Sequence, residues 1–221
     1  MPAEPLRFDA LPLFPLGTVL FPQGVLPLQI FEVRYLDMIR RCHAAGTPFG
    51  VVALTAGREV RQAGAPGEAF HGVGTLATIE ALETVQPGLL RVRCAGTRRF
   101  SVSRREQLRH GLWTGDVACL PDDLPVPVPE DLRGVAEALR QLVATLEREE
   151  AAARRDAADL QPTAPQIARP HRLDDCGWVA NRWAELLPLA LDDRQRLMSL
   201  DNPLLRLELV DDLLAQHGIG G

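Results

Sequence analysis

Apolar and polar positions fall in short blocks over the first 120 residues and in helical spacing beyond 130. Residues 11–14 and 26–31 are brief apolar runs set among prolines and glycines, with 19–21 as a corner between them. Proline cannot donate to a sheet ladder and glycine admits positive φ, so these runs predict short strands of a small β barrel or sandwich, not a parallel α/β sheet. From residue 33 to 45 the apolar positions Tyr35, Leu36, Ile39 and Cys42 follow 3-and-4 spacing, which predicts one buried helix face ended by Gly46 and Pro48. The run 49–55 reads as a central strand and 56–68 as an exposed loop. Residues 72–85 lead into the turn Gln86-Pro87-Gly88. The return strand 89–95 alternates Leu90, Val92 and Cys94 against Arg91 and Arg93, so one face is dry and the other wet. Further strands are expected from 96–102 and over 112–120.

The chain changes class at residues 121–129, PDDLPVPVP, where alternating prolines predict a stiff extended connector. Beyond it Leu132, Val135, Ala136, Leu139, Leu142, Val143 and Leu146 describe one long amphipathic helix that fades into the polar stretch 147–159. A loop is expected over 161–170. Asp174 or Asp175 can cap a helix with Trp178, Val179, Trp183, Leu186 and Leu187 inward and Pro188 at its end. A short helix opened by Asp192 and Asp193 follows, reaching residue 200. Asn202-Pro203 then reads as a cap followed by proline at the first helical position. Leucines on more than one side of 204–214 predict a helix sandwiched between neighbours. The expected organisation is a β domain over 1–120, a linker over 121–129 and a helical bundle over 130–221.

Composition narrows the chemistry. The hydrophobic share of 46% and charged share of 24% are those of a globular protein. With no run of 18 apolar residues and no signal-peptide pattern at the start, a cytoplasmic protein without a membrane role is expected. Cys42, Cys94, Cys119 and Cys176 lie far apart with no His at ligand spacing, so buried thiols are expected and neither a metal nor a cofactor is. All 24 basic residues are arginine. A phosphate-binding P-loop needs its lysine and a Ser-Lys peptidase its general base, so neither chemistry is available and no enzyme is predicted. His43, His71, His110, His171 and His217 are scattered, and adjacent Asp pairs sit at caps and linker ends, where paired acid-base work is not served.

Two motifs carry a family resemblance. The order P-L-F-P-L-G-x-V-L-F-P over 12–22, then L-P-L-x-I-F-E-x-R-Y over 26–35, resembles the N-terminal substrate-recognition domain of Lon proteases, including the stand-alone bacterial proteins that carry it. The G-x-x-R-F of residues 96–100, the W-V-A-N-R of 178–182 and the segment 193–207 resemble later parts of the same family, so nearly the whole chain is covered. The resemblance implies an α+β fold: a PUA-like pseudo-barrel of mixed and antiparallel strands with an inserted helix, followed by an α-helical bundle. It also implies non-catalytic recognition of unfolded or apolar protein segments, as an adaptor beside ATP-dependent proteolysis, with a protease or chaperone system as wider partner.

The candidate peptide site is Phe14, Phe21, Leu28, Phe31, Glu32, Arg34, Tyr35, Trp178 and Trp183, more apolar surface than a barrel corner needs. Part of it would line a cleft at an unpaired strand edge. Glu32, Arg34 and Tyr35 also fit a purely structural role at a strand-to-helix junction, and both readings stand on the sequence. A nucleic-acid face would use Arg91, Arg93, Arg98, Arg99, Arg104 and Arg105, a cluster with few interleaved aromatics in a chain of net charge -5. The bland alternative pairs those arginines with the acidic C-terminal helices. Self-association through the helix around Leu139 and Leu142 is a third reading.

Overall fold

The computed structural model describes residues 4–57, 67–156, 167 and 169–219, with the side chains of 153–156 left aside. It consists of two compact units. One holds Met1–Asp122 with Ala190–Gln195, the other Asp123–Leu189 with Arg196–Gly221. The expected loops at 56–68 and 161–170 lie largely outside the described residues, as does the helix end at 157–159.

The first unit runs β1 (Arg7–Leu16), β2 (Val25–Ile30), α1 (Val33–Ala45), β3 (Phe49–Ala56), β4 (Ala69–Gln86), β5 (Leu89–Gln107) and β6 (Trp113–Cys119). The strand order is β2-β5-β4-β3-β1-β6, and β6 also pairs with β5. Five strands thus return on themselves and β2 hangs outside, beside the first half of β5. Among the described strands only β1 and β3 pair in parallel, and the chain between them, β2 and α1, supplies the crossover that parallel pairing requires. The fold is α+β, a mixed six-stranded sheet with one helix inserted.

Alternation along β1 builds two cores. Leu11 and Leu13 join Val52, Leu76, Phe100 and Val117 inside the strand circuit. Phe14 and Leu16 point the other way, to Tyr35, Met38 and Ile39 of α1 and to Phe49, Leu90 and Val92. From Leu13 to Leu16 both faces of β1 are dry because one faces the interior and the other is covered by α1. Gly50 and Gly74 make room for Phe100, whose Cζ would stand 2.7 Å from a Cβ at either position. The G-x-x-R-F motif therefore closes the interior: Phe100 is fully buried and Arg99 is 4% exposed.

Three strand assignments change. β1 begins at Arg7, four residues before the apolar run, because a register shift between Phe8 and Leu11 carries the ladder through Ala10 (φ 49°), whose N–H donates to Asp116 Oδ1 at 3.0 Å. β4 begins at Ala69 where 72 was expected. The strands expected at 89–95 and 96–102 are one, β5, since the four residues from Gly96 to Arg99 lie opposite the three from Thr75 to Ala77: a bulge, not a break.

In the second unit a single 3₁₀ turn, Glu130–Leu132, leads into α2 (Arg133–Asp156), followed by α3 (Cys176–Leu186), α4 (Leu191–Ser199) and α5 (Pro203–Gln216). The first residues of α4 belong to the first unit, where His71 Nε2 lies 3.3 Å from Asp192 Oδ1 and Gln195 Nε2 donates to Val73 O at 3.0 Å. Asp175 caps α3 by accepting from Trp178 N at 3.0 Å, and Asn202 caps α5. The proline segment is extended and stitched to this unit. Cys176 N donates to Val126 O (2.8 Å) and Val128 N to Asp174 O (3.0 Å). Arg206, 1% exposed, donates to Asp123 Oδ2 (2.6 Å), Asn181 Oδ1 (3.0 Å) and Leu200 O, tying strap, α3 and the α4–α5 corner together. α5 is not sandwiched. Leu207, Val210 and Leu214 are buried on one stripe while Leu205 and Leu209 are exposed.

No helix among the described residues is long and apolar enough to cross a membrane. The four cysteines are free and buried, and burial pushes the Cys94 thiol up to about 12.

Candidate functional site: a groove at the β2 edge

Pro27 has no N–H, so its pair with Arg93 cannot carry ladder bonds, and those bonds fall to Leu26–Cys94, Leu28–Val92 and Ile30–Leu90. The bond from Gly96 N to Gly24 O, 2.8 Å, keeps the same phase. The main-chain groups of Val25, Pro27 and Gln29 therefore face away from β5. Among the described residues no strand pairs with that edge. It offers two donors and three acceptors.

Side chains beside this edge make a groove of about 230 Å³ lined by Phe14, Leu16, Pro27, Leu28, Gln29, Ile30, Phe31, Glu32 and Tyr35. Its floor is fixed by packing: the Phe14 and Tyr35 rings stack at 4.0 Å between centroids, and Phe14 tilts against Phe49 at 6.4 Å. Its rim is not. Phe31 is 53% exposed in the short link between β2 and α1, and Val33 beside it is 73% exposed. Phe31 and Val33 thus form an exposed apolar rim next to the apolar lining, whereas the other exposed apolar residues of this unit, Leu6 and Val85, are not among the lining residues.

Arg34 holds the corner from beneath. It is buried, its Nε donates to Glu32 Oε2 (3.1 Å), Nη2 to Glu68 Oε1 (2.8 Å) and Nη1 to Gly111 O (2.8 Å). Glu68 also accepts from Trp113 Nε1 at 2.7 Å. Burial alone would lower the arginine's pKa, but the bond to Glu68 and the surrounding negative charge raise it above its ordinary value. The guanidinium lies 4.4 Å from the Tyr35 ring centre. Its donors are committed to the protein, so Arg34 positions Glu32 and Tyr35.

The structure thus brings together Phe14, Leu28, Phe31, Glu32 and Tyr35, with Arg34 behind them. Phe21 is fully buried in the first unit, away from this lining. Trp178 and Trp183 are 3% and 2% exposed in the second unit, where Trp183 Nε1 donates to Val135 O at 3.0 Å. Leu16, Pro27, Gln29 and Ile30 also line the groove, and sequence reasoning missed them. The signal that finds them is Pro27, which marks β2 as an edge strand.

The arginine face resolves into pairs with a different partner from the one expected. Arg91 meets Glu83 at 2.9 Å and Arg93 meets Glu80 at 3.1 Å across the β4–β5 ladder, Arg98 meets Asp122 at 2.8 Å, and Arg104 comes within 3.9 Å of Glu106. These carboxylates all lie in the first unit: Glu80 and Glu83 face the arginines from the neighbouring strand β4, Glu106 follows Arg104 along β5, and Asp122 lies just past β6. Arg105 covers the Phe70 ring at 5.0 Å and Arg99 is buried. Among the described residues no cluster of three or more His, Cys, Asp or Glu is placed to hold a metal ion.

Comparison with known proteins agrees with this architecture. A family model described as the ATP-dependent protease La (LON) substrate-binding domain matches residues 10–216. A crystal structure of a Lon N-terminal domain protein from Xanthomonas campestris is 31% identical, with TM-score 0.67, covering 94% of this chain and 98% of that one. The N-terminal domain of the Mycobacterium avium complex Lon protease has the same fold at 16% identity and TM-score 0.58, covering 95% of this chain and all of that one. No curated protein matches the sequence. The chain belongs to the Lon substrate-binding domain family.

Proposed function

We propose that this protein recognises unfolded or apolar protein segments by taking them in extended form along the β2 edge, with one side chain or more in the groove beside it. The observation that carries the reading is the coincidence of an unpaired strand edge with an apolar groove whose rim aromatic, Phe31, is half exposed. Main-chain pairing gives such a site tolerance of sequence, and the groove supplies the apolar preference. Pro27 interrupts the donors of the edge, so pairing stays short and the complex weak, about -8 kcal/mol at micromolar affinity. Covering the exposed part of Phe31, on the order of 100 Å², contributes about 2.5 kcal/mol of this. The protein would act as an adaptor that holds such segments near an ATP-dependent protease.

Fluorescence anisotropy with an extended apolar peptide, at low and high salt, tests the reading. Apolar capture with little salt dependence is expected. Binding of single-stranded RNA that falls steeply with salt, with no peptide binding, would transfer the function to the strand face of β5.

A further inference from the structure

The charge among the residues lining the groove is one-sided, and the β5 arginines opposite Gln29 and Pro27, Arg91 and Arg93, are paired with Glu83 and Glu80. Of the nine lining residues only Glu32 carries a carboxylate, and none carries a cation. The neighbouring cation, Arg34, has a side chain 5% exposed and turns its donors to Glu32, Glu68 and Gly111, one cation against two carboxylates. Glu32 occupies the N-cap of α1 yet makes no side-chain cap bond, so its carboxylate is not spent on the helix. Arg34 holds Oε2, whereas Oε1 has no donor among the described residues, and the side chain is 21% exposed.

We infer that the groove selects apolar segments carrying a lysine or arginine where the segment passes Glu32, and discriminates against those carrying an acidic residue there. This rests on the peptide-groove reading above and adds the charge class of the ligand. A cation at the rim completes the Glu32 carboxylate, whose second oxygen is uncommitted. An anion in the same place meets the net negative charge of Glu32 and Glu68 against the single cation of Arg34, beside an apolar wall where water screens it less than on an open surface. Partly exposed charge pairs of this kind shift affinity by a few-fold in each direction, so the two ligand classes separate by about tenfold.

The test uses three fluorescein-labelled peptides sharing one apolar core and differing only in a flanking Lys, Gln or Glu, titrated at about 150 mM salt. Lys should bind about tenfold tighter than Glu, with Gln between. Glu32→Gln should bring the Lys-to-Glu ratio to within about twofold. Asp37→Asn, which removes an exposed carboxylate of α1 outside the groove, should leave the tenfold ratio in place. Equal affinity of the three peptides, or a ratio that survives Glu32→Gln, overturns the charge inference while the groove reading stands. Failure of all three to bind overturns both.

Discussion

The β2–α1 corner and the α3 helix carry the same kind of sequence, large apolar side chains beside an acid and an arginine, and use it in opposite ways. At the corner Phe31 stays half exposed; in α3 every residue from Cys176 to Ala184 is buried, both tryptophans included. Each place has its buried arginine: Arg34 ties α1 to Glu68 and Gly111, and Arg206 ties α3 to the proline strap. The difference lies in backbone pairing. A helix satisfies its own main chain and leaves only side chains to bind with, whereas β2 has one satisfied edge and one open edge. Aromatic content therefore does not separate a candidate site from a core; what sets the corner apart is an edge with no strand paired to it among the described residues, beside a groove.

The contrast is sharpest where stability should fall. Trp183→Ala removes a fully packed indole and its bond to Val135 O and should cost about 3–5 kcal/mol in urea unfolding; a loss below about 1 kcal/mol would mean that α3 is not a core element. Arg34→Met leaves Glu68 buried without its cation and should cost about 3 kcal/mol or more, read as a lowered denaturation midpoint. If the variant were as stable as the parent, the motif arginine would be free for another task.

Alkaline pH gives an effect that is smaller per pH unit and has a definite sign. The Cys94 thiol is held up to about 12 by burial, with a lesser contribution from Glu80, whereas an unfolded thiol titrates near 9. The folded state thus binds the proton more tightly. Stability from this group is complete below pH 9 and lost between 9 and 12, at up to about 1.4 kcal/mol per pH unit. Cys94→Ala should flatten that slope in pH-dependent urea titrations. Smallest of all, Arg91→Ala removes an exposed cross-strand pair and should change stability by under about 1 kcal/mol, and a larger loss would show the wet face of β5 to be structural.

Much of this was readable in the residues. α1 takes the span its apolar spacing predicts and ends on Gly46 at φ 63°, and the caps at Asp175 and Asn202 sit where short acceptor side chains precede apolar runs. These signals are local. The Ala10 irregularity depends on Asp116, 106 residues away, and Arg34 meets partners 34 and 77 residues off, one of them a backbone carbonyl that no side chain announces. β5 was divided at Gly96 because glycine marks a bulge and a turn alike until the partner strand is known. In the candidate site, Phe14 was legible through the motif over 12–22, and Leu28, Phe31, Glu32 and Tyr35 through the one over 26–35. Burial, which set Phe21, Trp178 and Trp183 in cores, is a property of the fold and not of residue type.

The central claim is that the corner binds and α3 holds, and one variant addresses it. Phe31→Ala, compared with the parent by thermal melting and by anisotropy with an extended apolar peptide, should keep its melting temperature within about 2 °C and lose between about tenfold and about seventyfold in affinity. Unchanged affinity in a folded Phe31→Ala protein would contradict the assignment of the β2 groove as the recognition site.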